Sequence, residues 1–388
     1  MRPGSLFVSV SRSSSLTAAA VCFLLLGAAT GQARAAGIAF AAMCDSRGDH
    51  EGVSPNLSPL AEHLATVNPQ AKFLFFPGDM IAGSERPGVS RREYAQWKKV
   101  MAPVYDSPNM LWPKVWPAPG NHEIQRPDDE DAYREAFPDV FMNGPRDEKG
   151  LTYSFDSGDS HFAVLDTVRW GYGDPGDPED DGRDWHHVKN LDWLEKDLAS
   201  ARARGVRHIF VFGHDPAFPI SGGHLADGLP NIGSADNPDR TFLHKRDAFW
   251  KILSEHRVAA YICGHEHLYG RQSIDGVYQI VAGGAGAPLH TLNPCRGKNS
   301  SPHATRVGPD YEGAAPYYEI LGYPHGPDDN CQASPDFVGG RFFSYVVMEA
   351  GEESVSVKTW GVEPKKGSAT EIAEVGALRI VDEFTIRD

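Results

Sequence analysis

Four short apolar runs stand out along the chain: Ile38-Ala39-Phe40-Ala41-Ala42-Met43, Phe73-Leu74-Phe75-Phe76, Ile209-Phe210-Val211-Phe212 and Val258-Ala259-Ala260-Tyr261-Ile262. Each is continuous rather than alternating and too short for an ordinary helix, which predicts strands buried on both faces. Between the runs the period changes. Leu60, Leu64 and Val67 fall on one helical face, and so do Trp97, Val100, Met101 and Val104, then Leu191, Leu194 and Leu198, and finally Phe249, Trp250 and Leu253. Ser58-Pro59 offers an N-cap and a first helical position for the earliest of these helices. After residue 340, Phe343–Met348, Ser354–Trp360 and Leu378–Phe384 read as strands; in the second, Val355 and Val357 face away from Ser354, Ser356 and Lys358. The pattern predicts one layered α/β domain whose terminal strands complete a sheet, with no internal repeat or heptad run.

The amino terminus changes where that domain is expected to work. Arg2 and Arg12 precede an apolar stretch from about Leu16 to Ala29, and Ala33-Arg34-Ala35 has the small-x-small form of a signal peptidase site. Residues 1–35 are therefore expected to be a signal peptide, with the mature chain starting at Ala36. The stretch is too short to span a bilayer comfortably, and no later segment is long enough, so no stable membrane anchor is expected after cleavage. The expected destination is a periplasm or the exterior.

The whole chain carries a formal charge of −15; removal of three arginines with the leader takes this to about −18. Such a balance argues against nonspecific binding to nucleic acid or anionic membrane. It is compatible with a small phosphorylated substrate if bound cations dominate the local field. Four of the five cysteines remain in the mature chain. In an oxidising compartment Cys295 and Cys331, both in a loop-rich region, are expected to pair. Cys44 and Cys263 sit at strand ends and read as buried packing thiols, with cross-strand pairing left open.

The chemistry is concentrated at the carboxyl ends of the apolar runs. Five segments end on metal-ligand side chains: Asp45, Gly78-Asp79, Gly120-Asn121-His122-Glu123, Gly213-His214 and Gly264-His265-Glu266-His267. Two divalent cations about 3.5–4 Å apart need oxygen and imidazole donors from several elements and one anion that bridges them. Glycine before four of the five ligand positions lets the backbone turn and approach a cation closely. His265 and His267, two apart, point to one side of an extended segment and can serve adjacent metals. No Gly-x-Ser-x-Gly elbow and no His-Glu-x-x-His helix is present, and Gly283-Gly284-Ala285-Gly286 lacks the Walker Lys-Ser/Thr ending, so it reads as a tight turn near the site.

The order and identity of these blocks, from about Gly37 to about Leu289, resembles the calcineurin-like metallophosphoesterases. Tyr153-Ser154-Phe155-Asp156, Phe162–Thr167 and Gly283–Leu289 are similar to the secreted, purple-acid-phosphatase-like branch. The resemblance implies a four-layer fold, a β-sandwich flanked by α-helices with a dinuclear metal site at strand ends. It implies Asp79 as the bridging carboxylate, Asp45 and His267 as ligands of a first metal, and Asn121, His214 and His265 as ligands of a second. It implies His122 as the catalytic histidine, donating to the leaving-group oxygen while a metal-activated water or hydroxide attacks phosphorus in line. The ions would be iron, manganese or zinc; the mixed ligand set does not choose among them.

One block departs from the family. Where the pattern reads Asp-x-His, this chain reads Asp45-Ser46-Arg47, and arginine cannot coordinate a cation. The purple acid phosphatase alternative, a tyrosine three residues after the bridging aspartate, is absent because that position is Ala82. The first metal is then left with Asp45, Asp79, His267 and water, unless Asp49 or His50 folds back. Arg47 has the planar fork that suits a phosphoryl group, and contact with substrate is the expectation set against an ordinary ion pair.

Two stretches read as additions. Trp170 to Trp185 is a Gly-, Pro- and acid-rich loop; Asp174, Asp177 and Asp180 offer carboxylates for calcium but lack an EF-hand pattern. Residues 291–340 form a loop-rich insert, either a disulfide-pinned lid that selects the leaving group or surface decoration. The function expected is a secreted phosphoesterase for mono- or diesters. The competing reading is a catalytically weak phosphate- or metal-binding protein with a degenerate first metal site.

Overall fold

The computed structural model describes residues 37–48, 52–126, 128–168, 186–221, 228–229, 243–290 and 338–387. The leader, Asp49 and His50, the 170–185 loop with its three aspartates, and Cys295 and Cys331 lie outside the described residues.

Each of the four apolar runs forms a strand: β1 (Ile38–Ala42), β2 (Leu74–Pro77), β6 (His208–Phe212) and β7 (Ala260–Cys263). With β3 (Val115–Ala118), β11 (Phe343–Ala350), β12 (Ser354–Val362) and β13 (Arg379–Arg387), the first two build a sheet in the order β13-β12-β11-β1-β2-β3. A second sheet runs β10-β8-β9-β7-β6-β5-β4, adding β4 (Tyr153–Ser157), β5 (Ser160–Val164), β8 (Tyr269–Ile274), β9 (Val277–Ala282) and β10 (Val338–Gly340). β1, β2 and β3 pair in parallel, and so do β5, β6 and β7, so their carboxyl ends gather at one rim of each sheet.

The sheets meet through an aromatic core. Phe40 lies edge-on to Phe75 at 5.5 Å and to Phe210 at 4.8 Å, while Phe75 stacks on Phe212 at 3.9 Å and on Phe162 at 5.2 Å. The intervening residues face outward to helices, as a period of two requires. Phe76 meets Trp97 of α2 (Val89–Val100) at 5.1 Å. Ile209, Val211, Tyr261 and Cys263 pack with Leu194 and Leu198 of α5 (Leu191–Ala203) and with Phe249, Trp250 and Leu253 of α6 (Leu243–Glu255). The result is the four-layer sandwich expected, with both faces of each central strand buried. Among the described residues no helix is long and apolar enough to cross a membrane.

Several local expectations are corrected. The helix α1 spans Leu57–Val67 and so begins before Ser58; Asn56 precedes it, its side-chain amide tied to Thr370 O at 2.8 Å. Val67 is exposed, and the buried place at that end goes to Asn68, whose amide donates to the Tyr345 hydroxyl at 2.8 Å. β3 carries Pro117, which hid it in the sequence; it is tolerated because β3 is an edge strand. α4 (Asp129–Ala136) is short and acid-rich, without a long apolar face. Residues 338–340, assigned to the insert, pair with β8.

One ion cluster around the buried His161 ties α5 to the β4–β5 hairpin. His161 donates from Nδ1 to Asp156 at 2.6 Å and from Nε2 to Asp197 at 2.8 Å, while Arg204 grips Asp156 through Nε at 2.7 Å. Burial works against charge on His161, but Asp197 and Asp156 outweigh it and raise its pKa above the ordinary 6.5. The imidazolium therefore contributes stability that is fully present below pH 6.5 and is lost as pH rises through the raised folded value. A His161→Gln variant should fall furthest below the parent in melting temperature at pH 5–6, and the gap should narrow in alkaline buffer. A pH-independent gap in thermal scans would reject the charged clamp.

Candidate metal centre

The five ligand-bearing segments all leave strand carboxyl ends at the same rim: Asp45 after β1, Asp79 after β2, Asn121 and His122 after β3, His214 after β6, and His265 and His267 after β7. The backbone there is held in unusual conformations. Asp45 has φ 65°, Asp79 φ 54° and His265 φ 67°, three of six non-glycine residues with positive φ among those described. Each such residue costs on the order of 1–3 kcal/mol and persists only where its surroundings fix it. Gly78, at φ 94°, is required on two counts, since a Cβ there would lie 2.4 Å from His214 Nδ1.

Four donor atoms converge on one point. His214 Nε2 lies 3.1 Å from Asn121 Oδ1 and 3.3 Å from Asp79 Oδ1; His265 Nδ1 lies 3.2 Å from both Asn121 Oδ1 and His214 Nε2. His214 gives its Nδ1 proton to Pro77 O at 2.9 Å, so its Nε2 presents a lone pair to the oxygens of Asn121 and Asp79. Lone pairs facing one another in a buried site repel unless a cation stands among them, and imidazole fixed by a backbone carbonyl is the usual metal ligand. The donor set thus fits a cation at the second position.

The first position is sparser. His267 donates Nδ1–H to Pro288 O at 2.8 Å and turns Nε2 toward Asp45 Oδ1 at 3.6 Å. Donor atoms of Asp45, Asp79 and His214 lie within 4.8 Å of one another. The Gly283–Leu289 turn passes beneath, with Ala287 N donating to Asp45 O at 2.8 Å. Burial, reinforced by Asp79, pushes the Asp45 carboxyl well up; burial also acts on Asp79, but His214, His122, His265 and Arg47 overcome it and hold that carboxyl low. The two carboxylates thus share one buried pocket in which Asp79 keeps its charge.

His122 and Arg47 approach Asp79 from the solvent side. His122 gives Nδ1–H to Ala82 O at 2.6 Å and points Nε2 at Asp79 Oδ2, 3.9 Å away. Arg47 Nε lies 3.9 Å from the same oxygen. Cys44 and Cys263 are free buried thiols, with Cys44 Sγ donating to Cys263 O at 3.3 Å.

Three groups escaped the sequence reading as working parts. Glu123 is fully buried and accepts from the backbone N–H groups of Asp79, Met80, Ile81 and Gly120 at 2.6, 2.8, 3.2 and 2.8 Å. Glu266 does the same for Ile220 and Ser221 at 2.7 Å each. Both stand inside the quoted blocks, but apart from Gly120 their partners are distant in sequence. Asp215, next to His214, accepts from Thr167 Oγ1 and from His186 Nδ1 at 2.6 Å each, and the His186 ring lies 5.4 Å from that of His265. Replacing Glu123 by glutamine puts an amide N–H against N–H donors. Glu123→Gln is expected to lose about 2–4 kcal/mol of stability and to weaken metal retention. Denaturant titration and metal analysis of the same sample check this; an unchanged midpoint would reject the clamp.

A family model described as calcineurin-like phosphoesterase matches residues 48–269. Two curated proteins of Mycobacterium tuberculosis, from strains CDC 1551 and H37Rv and each described only as uncharacterized, are 28% identical over 159 residues. That match covers 40% of this chain but only 27% of theirs. Among solved structures, a purple acid phosphatase from yellow lupin (Lupinus luteus) seeds superposes with a TM-score of 0.56 at 14% identity, over 91% of this chain and 54% of its own. PhoD gives 0.50 at 15% identity over 91% and 73%, and GAP50, described as the anchor in the inner membrane complex of Plasmodium, gives 0.54 at 12% over 91% and 89%. At these identities the structural likeness is one of fold.

Proposed function

The chain belongs to the calcineurin-like phosphoesterase family, and from that premise we propose that it is a secreted, metal-dependent hydrolase of phosphate mono- or diesters. The observation that carries the reading is the convergence of Asp79, Asn121, His214 and His265 on one point beside the Asp45–His267 pair. Family membership implies two metal ions, proposed as iron, manganese or zinc. Such ions, when bound, lower the pKa of a water and neutralise charge on phosphoryl oxygens.

The chain's own residues supply the rest. Asp79, with Oδ1 toward His214 and Oδ2 toward His122 and Arg47, would be the carboxylate that holds both ions. His122, anchored through Nδ1 to Ala82 O, can hold a proton on Nε2 for a departing alkoxide. Arg47 offers guanidinium N–H groups to phosphoryl oxygens at the same mouth. Secretion rests on the amino-terminal pattern of residues 1–35. The acidic balance of the chain favours a small phosphorylated substrate over nucleic acid.

A second reading, a phosphate- or metal-binding protein with little turnover, draws on Arg47 at the first block, and fold alone does not decide between them. Initial rates of the chain from Ala36, loaded separately with manganese, iron and zinc, on matched aryl phosphate monoesters and diesters distinguish the two. Metal-dependent turnover supports the hydrolase, and its monoester-to-diester ratio narrows the substrate. No turnover above an Asp79→Asn control with any metal overturns it.

A further inference from the structure

The two metal positions differ in a way the geometry around Arg47 explains. At the second position, donor atoms of Asp79, Asn121, His214 and His265, from four segments, make four contacts of 3.1–3.3 Å with one another, a spacing that matches the edges of one coordination shell. At the first, Asp45 and His267 approach only to 3.6 Å, and both Asp45 oxygens are already engaged by the His265 backbone N–H at 3.1 and 3.0 Å. A cation that cannot ligate stands nearby: the Arg47 guanidinium, beside Asp79, acts electrostatically on both Asp45 and His267. Arg47 is not a wandering surface chain: its backbone N–H donates to Asp79 O at 3.1 Å, and Ser46 beside it donates Oγ–H to Met80 O at 3.0 Å while accepting from Trp97 Nε1 at 3.1 Å. Its Nε is buried without a hydrogen-bond partner and lies 3.9 Å from Asp79 Oδ2, the oxygen directed away from the second position.

Resting on the hydrolase reading above, we infer that Arg47 makes the centre unequal. The second position retains its ion through purification, whereas the first, short of one ligand and facing a fixed positive charge, binds its ion roughly a hundredfold or more weakly. The guanidinium meanwhile keeps positive charge on the outer oxygen of Asp79 when the first position has exchanged its ion. A neutral side chain at residue 47 removes the repulsion but adds no ligand, and histidine removes the repulsion and adds one.

The test is metal counting, independent of turnover. The chain from Ala36, Arg47→His, Arg47→Met and His214→Ala are loaded with manganese, passed through a desalting column, and analysed for metal per chain, with calorimetric titration of manganese into each and circular dichroism as the control for folding. The parent is expected to retain one ion and to show a second, weak binding event, Arg47→His to retain two, and Arg47→Met to show the weak event strengthened by tenfold or more. Two ions retained by the parent, or a weak event unchanged in both folded Arg47 variants, overturns the inference while leaving the hydrolase reading intact. If His214→Ala retains as much metal as the parent, or the parent retains none, the metal centre itself is wrong and the hydrolase reading falls with it.

Discussion

Asp79→Asn is expected to lower kcat/KM for metal-dependent turnover by at least about 10³-fold, and to lower metal content with it. The expectation comes from where the two carboxylate oxygens point. Oδ1 joins the second-position quartet 3.3 Å from His214 Nε2, and Oδ2 faces His122 and Arg47 at 3.9 Å each. The side chain is 1% exposed, so no water can substitute for the lost charge. Around it stand three imidazoles and a guanidinium that together hold the carboxyl ionised against the cost of burial. An isosteric amide keeps the shape but would remove the anion proposed to serve both positions, and one end of it would turn N–H groups toward a cation. The loop should stay in place, because it is Glu123 that fixes the N–H groups of residues 79–81. Circular dichroism should therefore be unchanged while rate and metal content fall. A variant that keeps more than a tenth of the parent's rate on aryl phosphates would remove Asp79 from the bridging role.

The candidate ligand segments stood out because they couple a short buried strand to a donor, with a glycine before four of the five, a local signal that needs no knowledge of the rest of the chain. Where the strand itself was hidden, the reason was equally local: Pro117 breaks the apolar run of β3, and only its place at the sheet edge makes the strand possible. What the sequence could not reveal is anything decided by partners far along the chain. Glu123 and Glu266 look like ordinary polar residues of their blocks until the backbone N–H groups they receive are seen. The His186–Asp215 contact joins segments on either side of α5, and no spacing rule predicts it. The start of α1 was misplaced for a similar reason, since Asn56 is pinned to Thr370, more than 300 positions away. Arg47 is a different case. The sequence marked it as a departure, but only its placement against Asp79 turns a missing ligand into a competing charge.

His122→Ala is expected to lower kcat by about 10²–10⁴-fold with metal content unchanged, and the loss should depend on the leaving group. His122 is not part of the second-position quartet, and its Nδ1 proton is committed to Ala82 O at 2.6 Å, with Gln125 Nε2 donating to the same carbonyl at 3.0 Å. The ring is thereby fixed with Nε2 toward the open mouth, 24% of the side chain remaining accessible to solvent or substrate. With Nδ1–H held in that bond, Nε2 is the ring atom left to exchange a proton with an incoming ester, and the role proposed for it, donation to the leaving oxygen, requires the imidazolium form. An acid matters most when the departing oxygen is basic. Alkyl phosphates, whose leaving alkoxides are strongly basic, should lose most of their rate in the variant, whereas nitrophenyl phosphates, whose phenolate leaves without help, should lose far less. A role confined to shaping the mouth would slow both classes alike. Rates across a series of leaving groups in parent and variant therefore separate proton donation from packing: a steeper dependence on leaving-group basicity in His122→Ala supports the acid, and parallel lines exclude it.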